Sequence, residues 1–300
     1  MNSNFPNGLS IFHSSYPSSF RPTLGPLDAH TEEPSSVLSA EAQDKAIAKY
    51  GIAGRVWEAA YAMMIYVRNP AAYEFDPQFD LGPGAAVVEL GAGTGAAGLT
   101  IAAAHPHARV VLTDLAEVCP LLQSNAREYP EVEVRPLAWG CAAQAQALRD
   151  ELGPIPVSHV ICSDLVYFPE LAAPLLRTLL HLTAPVPTLP AVSPQVILSY
   201  TIRSLSKETP FWSAFGLWFT FTPVLVRARS EDNSSRWERF ESGGDGEVFL
   251  FVARRKSESF SWTAPEDDVA LLEGVGARGT EERKGDDEFE VLLLMRSTNE

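Results

Sequence analysis

Apolar and polar positions follow two different periods along the chain, and the two periods take turns. Short, nearly continuous apolar runs are each followed by a segment whose apolar residues recur every three or four positions. This order predicts βαβ units and a largely parallel sheet whose two faces are covered by helices. The predicted strands span 85–90, 109–115, 132–137, 157–163 and 195–203, and the predicted helices span 93–106, 117–129, 141–152, 169–183 and 207–219.

The alternation ends near residue 219. The runs 219–229 and 246–256 both read as strands, and a polar, glycine-rich link separates them instead of a helix. Two strands joined in this way predict an antiparallel hairpin at a sheet edge. We therefore expect an α/β fold, a Rossmann-like seven-strand sheet of five parallel strands plus this hairpin. One more apolar run, 289–297, is predicted as an added strand, either an eighth strand or the true seventh.

Changes in composition divide the chain into three segments. Residues 1–40 are rich in Ser, Pro and Asn and have no periodicity, so we expect a disordered tail. A domain spans 41–256; it opens with a helix that Ser39 can cap, and a glycine-containing loop leads to a second helix over 55–67. Residues 257–300 form an acidic extension with twelve acidic and four basic residues. This acid could steer a basic protein partner, or it could be solvated charge on loops.

Charge and composition narrow the classes of function. The 300 residues carry a net charge of −15, which argues against nucleic-acid binding, because a nucleic-acid backbone requires clustered Lys and Arg. No apolar run approaches the roughly 18 residues of a membrane span, and the N-terminus lacks the pattern of a secretory signal. Cys119, Cys141 and Cys162 form no CxxC pair. We expect a cytoplasmic protein without disulfides, metal or membrane segment, and we expect a monomer.

The stretch VVELGAGTGAAG lies where the first strand of the sheet meets its helix. Gly91, Gly93 and Gly95 remove side chains where the backbone must turn tightly and where a ligand can approach it. GAGTGA also satisfies the relaxed dinucleotide pattern G-x-G-x-x-A, and a glycine loop at such a junction could be a mere turn. Three glycines at alternate positions favour a nucleotide site over a mere turn.

Two carboxylates flank the glycine loop. Glu89 lies inside the apolar first strand, where a charge is costly without a partner. A cationic or amine-bearing ligand above the loop could supply that partner, or Arg55 on a neighbouring element could. Asp114 ends the second strand, where it can accept hydrogen bonds from ribose hydroxyls. NAD and S-adenosylmethionine both carry a ribose, so Asp114 indicates a nucleoside without choosing between them.

Three further motifs complete a pattern that resembles a known family. They are GRVWEAA, which places Trp57 in a helix, PLAWG with Trp139, and an Asp-x-x-Tyr after the fourth strand, Asp164 to Tyr167. Together with ELGAGTG and TDL, they resemble the eukaryotic family 16 of seven-strand, S-adenosylmethionine-dependent protein-lysine methyltransferases, over about residues 50–256. Members of that family act on Hsp70-type chaperones, valosin-containing protein and translation elongation factor 1A.

The resemblance implies a cofactor, a substrate class and a set of site residues. The implied cofactor is S-adenosylmethionine, and the implied methyl acceptor is a lysine of a protein such as elongation factor 1A or a chaperone. The residues implied to line the cofactor are Trp57, Gly91, Ala92, Gly93, Asp114, Trp139 and Ser163. Glu89 and Gly95 of the glycine region join them in the predicted cofactor site, and Asp164 and Tyr167 are the predicted catalytic residues.

The chemistry of methyl transfer constrains the predicted catalytic residues. The amine must be neutral and in line with the leaving sulfur, whereas free lysine has a pKa near about 10.4. Desolvation in an aromatic-lined channel lowers that pKa, but a carboxylate alone raises it. We therefore expect Asp164 to orient the amine, and Tyr167 to offer a cation–π face or its phenol oxygen. Further aromatic candidates are Phe168, Tyr200, Phe211 and Trp212.

Three other functions remain open at this point. A small-molecule methyltransferase on the same fold fits the same residues. A cofactor-binding but inactive scaffold, whose acidic extension recruits a partner, also fits them. An NAD-dependent oxidoreductase is disfavoured, because the chain offers no catalytic Tyr-x-x-x-Lys or comparable pair and leaves Trp139 without a role.

Overall fold

Seven strands form one sheet at the centre of the protein, which confirms the predicted fold. The computed structural model describes residues 10–15, 38–153, 155–185, 193–229, 235–240 and 248–297. The sheet is built on the parallel strands β2 (Ala86–Leu90), β3 (Arg109–Asp114), β4 (Val132–Pro136), β5 (Val157–Ser163) and β6 (Gln195–Thr201). Strand β10 (Val248–Arg255) runs antiparallel between β6 and β7 (Phe219–Pro223), so the order is β4-β3-β2-β5-β6-β10-β7.

The strand order creates a switch point between β2 and β5. From β2 the chain adds β3 and β4 on one side, and it then returns to add β5 and β6 on the other side. The helices that follow β2 and β5 therefore pack on opposite faces of the sheet. In open parallel sheets such a switch point leaves a crevice beyond the carboxyl ends of the strands.

Helices cover both faces of the sheet and complete two hydrophobic cores. One core contains Val87 of β2 and residues of α2 (Glu58–Arg68), α3 (Ala96–Ala104) and α4 (Cys119–Asn125). The other core contains Val88 and residues of α5 (Ala142–Leu152), α6 (Pro169–Leu182) and α7 (Leu205–Trp218). Val87 and Val88 serve different cores because successive side chains of a strand point to opposite faces. Every residue of β2 is buried, so Glu89 lies in the dry interior.

Helix α1 (Ala40–Tyr50) begins where the sequence predicts it. The Oγ atom of Ser39 accepts a hydrogen bond from the Ala42 N–H at 3.2 Å, which satisfies one amide of the first turn. A 3-10 turn, Gly51–Gly54, then leads toward α2. A Cβ atom on Gly54 would lie 2.2 Å from the carbonyl carbon of Ala46, so this close approach to α1 requires glycine.

Part of the predicted disordered tail is ordered. Ser14 is buried against α1: its N–H donates to Oε1 of Gln43 at 3.1 Å, and Nε2 of Gln43 donates back to the Ser14 carbonyl at 2.9 Å. The prediction of disorder is therefore wrong for residues 10–15, because Gln43 supplies polar partners that the tail's composition does not reveal. The rest of the predicted tail, residues 1–9 and 16–37, lies outside the described residues.

The first half of the predicted strand 219–229 forms the expected antiparallel pair, and the second half does not. Strand β7 pairs with β10 as expected, but the run 219–229 breaks at Val224, whose N–H donates to the Leu250 carbonyl. The following strand, β8 (Leu225–Ala228), joins a separate antiparallel sheet with β1 (Tyr73–Asp76) and β9 (Glu238–Arg239). The chain crosses between layers here, since Phe221 belongs to one core and Val226 to the other.

The prediction of an added strand over 289–297 is wrong, because this run forms the helix α9 (Glu288–Ser297). Phe289 is buried, and Leu292 and Leu293 pack against the same core. This spacing of three and four residues places the three side chains on one helical face. The Phe289 ring stacks on Trp212 of α7, with 4.6 Å between centroids and 8° between planes.

Helix α8 (Asp268–Leu272) of the acidic extension also packs on the domain. It contributes the buried Leu271 to the core beside α6 and α7. Arg177 of α6 donates hydrogen bonds to the Pro265 carbonyl at 2.5 Å and to Oδ1 of Asp268 at 2.8 Å. The described part of the extension therefore shares a core with the domain.

Replacing Phe289 with Ala should destabilise the whole domain. Phe-to-Ala changes in a core typically cost about 3 to 5 kcal/mol, because burial is lost and a cavity remains. The control is Val291→Ala on the same helix, whose side chain is 38% exposed; its effect should stay within about 0.5 kcal/mol. Urea unfolding measures both free energies. A loss below about 1 kcal/mol for Phe289→Ala would contradict docking of α9 in solution.

Candidate active site

A cavity of about 400 Å³ opens at the switch point of the sheet, beyond the ends of β2, β3 and β5. Parallel strands bring their carboxyl ends to one edge, so residues far apart in the sequence meet there. The predicted site residues that line the cavity are Trp57, Glu89, Gly91, Ala92, Gly93, Asp114, Trp139, Ser163, Asp164 and Tyr167. Gly95 is the one predicted site residue that does not line it.

The glycine loop lies directly under the cavity. Gly91 and Gly93 have φ angles of 53° and 55°, which disfavour any other residue. A Cβ atom on Gly91 would lie 2.7 Å from Cζ2 of Trp139, and one on Gly93 would lie 2.9 Å from the Ala53 carbonyl oxygen. Side chains on this loop would therefore collide with the walls of the cavity.

Gly95 serves the fold instead of the cavity. It precedes α3 with a φ angle of 78°. A Cβ atom there would lie 3.0 Å from Leu112 and 3.1 Å from Leu122, both of which belong to the core. The prediction grouped Gly95 with the other glycines because the sequence pattern does not show which way each position faces.

The buried Glu89 finds its partner in the backbone of α3. Its Oε2 atom accepts a hydrogen bond from the Gly98 N–H at 2.8 Å, in the first turn of the helix, where a carboxylate is favoured. Burial raises the pKa of Glu89 to about 8. Arg55, the protein partner considered from the sequence, instead pairs with Glu58 at 2.5 Å. A Cβ atom on Gly98 would lie 2.5 Å from Oε2 of Glu89, so this contact requires glycine.

Asp114 links the end of β3 to the glycine loop. Its Oδ2 atom accepts a hydrogen bond from the Gly93 N–H at 2.8 Å, and Oδ1 accepts one from the Leu115 N–H at 2.7 Å. Burial raises the pKa of Asp114 to about 6, although these two amides oppose the rise. Each carboxylate oxygen can accept a further hydrogen bond, so Asp114 can receive two neighbouring hydroxyl groups at the cavity wall.

On the other side of the cavity, Asp164 directly follows β5. It adopts a left-handed conformation with a φ angle of 62°, and its N–H donates to the Ser199 carbonyl of β6 at 2.8 Å. Nη1 of Arg203 donates to Oδ1 of Asp164 at 2.8 Å, and Nη2 donates to Oδ2. Asp164 therefore has both carboxylate oxygens bound by a guanidinium, which its sequence motif does not indicate.

Arg203 is a site residue that sequence reasoning missed. It lines the cavity just beyond β6, the parallel neighbour of β5. A signal for it was available: acidic and basic residues that follow two neighbouring parallel strands come to the same edge. Arg203 and Arg55 also approach the ring of Trp57, with Cζ 5.5 Å and 4.3 Å from the ring centroid. Trp57 itself precedes α2 instead of lying within it, which corrects the predicted placement.

The aromatic candidates divide between the cavity and the core. Tyr167 and Phe168 line the cavity and pack edge to face, with 4.7 Å between ring centroids. Burial raises the pKa of the Tyr167 phenol, so its hydroxyl stays protonated at neutral pH. Tyr200, Phe211 and Trp212 belong to the core and do not line the cavity.

The described residues contain neither a metal-binding cluster nor a membrane-spanning helix. Among them, no group of three or more His, Cys, Asp or Glu side chains is arranged to hold a metal ion. No helix in this part of the chain combines the length and the apolar character that crossing a membrane requires.

Sequence comparison relates the chain to known enzymes. The model of a family described as "Lysine methyltransferase" matches residues 36–215, a span that contains every cavity-lining residue. "Protein N-lysine methyltransferase METTL21A" of Xenopus tropicalis is 30% identical over 180 residues, which cover 58% of this chain and 72% of that protein. "EEF1A lysine methyltransferase 3" of Xenopus tropicalis is 31% identical over 142 residues, which cover 46% of this chain and 56% of that protein.

The chain also has a low similarity to solved structures. An O-methyltransferase family protein from Burkholderia thailandensis aligns with a TM-score of 0.42 at 13% identity, covering 72% of this chain and 60% of that chain.

Glu89→Gln should remove a pH dependence of stability in the ligand-free protein. The pKa of Glu89 is raised from 4.5 to about 8, so the folded state binds more protons than the unfolded state within that range. Stability should therefore fall as pH rises from about 5 to 8. Gln cannot ionise, yet it can still accept the Gly98 hydrogen bond.

Urea unfolding between pH 5 and pH 9 measures this effect. The exposed Glu128→Gln serves as the control and should keep the wild-type profile. Parallel profiles for wild type and Glu89→Gln would show that Glu89 does not carry the dependence.

Proposed function

Because the chain belongs to the lysine methyltransferase family, we propose that it transfers a methyl group from S-adenosylmethionine to a lysine side chain of a protein substrate. The observation that carries the proposal is one cavity that joins the glycine loop and Asp114 to Asp164 and Tyr167. The first pair suits a nucleoside, and the second pair suits an amine. A methyl donor and a methyl acceptor can therefore meet in the same space.

The residues that line the cavity suit the ribose and the adenine of S-adenosylmethionine. Gly91 and Gly93 let the backbone of the loop pass close to Trp139 and Ala53, where a Cβ atom would collide. Asp114 offers free acceptor positions for the two ribose hydroxyls, and Trp139 offers an aromatic surface above Gly91 for the adenine. Trp57, Glu89, Ala92 and Ser163 complete the proposed cofactor site, and Gly95 supports it through the start of α3.

Methyl transfer asks the chain to hold a neutral amine and to exclude water. When bound, S-adenosylmethionine supplies a methyl carbon to which the amine lone pair bonds, while the electrons of the broken carbon–sulfur bond stay on sulfur. Tyr167 and Phe168 offer an aromatic wall that desolvates the amine and lowers its pKa. The protonated hydroxyl of Tyr167 can also hydrogen-bond to the amine. Asp164, which lines the same cavity at the end of β5, orients the amine.

The proposed substrate class rests on the relatives. The two relatives described above are named as a protein N-lysine methyltransferase and a lysine methyltransferase for EEF1A. We propose a protein lysine as the acceptor here, with elongation factor 1A or a chaperone as the first proteins to test. A small-molecule methyltransferase and an inactive scaffold remain as outcomes of the experiment below.

We also propose that the protein works as a monomer in the cytoplasm. Cys119, Cys141 and Cys162 are all free thiols, as expected for a reducing compartment. Size measurement in solution and localisation of the tagged protein test these two points.

Labelled S-adenosylmethionine and a cell lysate test the function directly. We expect methyl label in one or a few protein bands, released as methylated lysine after hydrolysis. Label in small molecules alone would support a small-molecule enzyme, and no transfer would support a scaffold. Asp164→Ala should abolish transfer to protein; if transfer persisted at the wild-type rate, the proposed transfer site would be wrong.

Asp114→Ala should weaken S-adenosylmethionine binding by about tenfold or more, because a hydrogen bond to a charged acceptor contributes about 1.5 to 3 kcal/mol. The matched control is Asp150→Ala on the exposed side of α5, which should bind the cofactor as the wild type does. Titration calorimetry measures both affinities, and circular dichroism checks that the variants are folded. NAD should not bind either protein. Wild-type affinity in Asp114→Ala, or binding of NAD, would contradict the proposed cofactor site.

A further inference from the structure

Asp164 of the Asp-x-x-Tyr motif forms a buried ion pair with Arg203 at the wall of the cavity. The Asp164 side chain is 1% exposed, and the Arg203 side chain is 31% exposed. Both oxygens of Asp164 are bound by the guanidinium, so its negative charge is compensated inside the protein. An amine that enters the cavity meets a neutral pair at this wall instead of a lone carboxylate.

Arg203 is held in place from behind. The buried Glu208 of α7 accepts hydrogen bonds from the Arg203 N–H at 3.3 Å, from the Ser204 N–H at 3.0 Å, and from the Tyr200 hydroxyl. Nη1 of Arg203 also donates to the Thr201 carbonyl at 3.2 Å. The backbone of Arg203 is therefore fixed by Glu208 of α7, and its guanidinium has a second contact, the Thr201 carbonyl, besides Asp164.

The charges around the pair come from four other parts of the chain. The negative charge of Glu58 on α2 raises the pKa of both Asp164 and Arg203. Glu58 itself is paired with Arg55. The negative charge of Glu208 on α7 raises the pKa of Arg203. The charges of several acids raise the pKa of the Tyr167 phenol. Those acids are Asp114 at the end of β3, Asp164 itself, and Glu170 of α6. Within the described chain, Arg203 is the cation that is hydrogen-bonded to Asp164.

We propose that Arg203 is a positioning residue of the transfer site, which cancels the charge of Asp164 so that the entering lysine amine can be neutral. This inference rests on the proposed function and identifies a residue that controls the protonation state of its substrate. A carboxylate near an ammonium group favours the charged form, and a charged amine has no lone pair to attack a methyl group. The pair lets Asp164 shape the site without that penalty.

Arg203 also opposes protonation of Asp164. Burial raises the pKa of Asp164, and the guanidinium opposes that rise. Without Arg203, the ionised form of Asp164 has no hydrogen-bonded cation among the described residues, so a bound ammonium group can take that place and stabilise the carboxylate. The loss of Arg203 should therefore make the site bind a charged ammonium group more tightly than the neutral amine.

Two cofactor analogues test this without any need for turnover. Sinefungin carries an amine where the donor carries its methyl group, and S-adenosylhomocysteine has no group there. Their ratio of affinities at pH 8 reports how strongly the site attracts an ammonium group. In Arg203→Met the ratio should shift toward sinefungin by about tenfold or more, because two charges a few ångströms apart interact by several kcal/mol at protein-like dielectric constants.

Two variants control the test. Arg203→Lys keeps a cation and should keep a ratio within about threefold of the wild type. The double variant Asp164→Asn with Arg203→Met removes both charges and should also return the ratio toward the wild-type value. An unchanged ratio in Arg203→Met would overturn the proposal, and so would an equal shift in the double variant.

The pH profile of transfer supplies a second readout. With an excess of lysate, where the rate no longer rises with the amount of lysate and reports the enzyme–substrate complex, the acidic limb of methyl transfer should move to higher pH by about one unit in Arg203→Met. A merely structural defect would lower the rate without moving the limb, and such a result would overturn the proposal.

Different results would refute the proposed function and the proposed role of Arg203. Absence of S-adenosylhomocysteine binding and of transfer in the wild type would refute the proposed function. Wild-type binding and transfer, together with an unshifted ratio in Arg203→Met, would refute the role of Arg203 alone.

Discussion

Buried carboxylates need partners, and this constraint organises the functional edge of the sheet. Glu89, Asp114 and Asp164 all lie near the ends of parallel strands, and each is almost fully buried. Each finds a different kind of partner: the first turn of α3, the backbone of the glycine loop, and a guanidinium from the next strand. Gly98 follows from the same constraint, because a Cβ atom there would lie 2.5 Å from the Oε2 atom of Glu89 that its N–H must reach.

The general fold could be predicted because the spacing of apolar residues in each short segment indicates a strand or a helix. Strand β2 is buried on both faces and reads as a continuous apolar run, and the helix that follows it begins at the glycine loop. The failures share a different cause. The break at Val224 and the docking of α9 depend on which layer a distant segment covers, and neither local period nor composition records that. A run such as FEVLLLMRS suits a strand or a helix until the face that Phe289 fills is known.

The candidate site shows the same division. The glycine loop and Asp114 could be predicted from their positions at strand ends, and Trp139 from the family resemblance. Gly91, Gly93, Asp114 and Trp139 line one cavity. The partners were harder to find. Gly98 and Arg203 contribute through contacts between elements, and Gly95 faces the core although its sequence pattern equals that of its neighbours. Motifs indicate which residues line the cavity, whereas tertiary contacts decide what charge and orientation those residues present.

The stacking of Phe289 on Trp212 has a consequence for the synthesis of the protein. Trp212 and its aromatic neighbours on α7 are made well before α9, so a growing chain exposes this surface until the later segment is complete. Exposed aromatic surface on a partly folded sheet invites aggregation or capture by a chaperone. The loop that carries Arg203 is anchored by Glu208, which bonds to Tyr200 in the same aromatic cluster. We therefore expect the site to mature late, as the nascent chain closes over its own core.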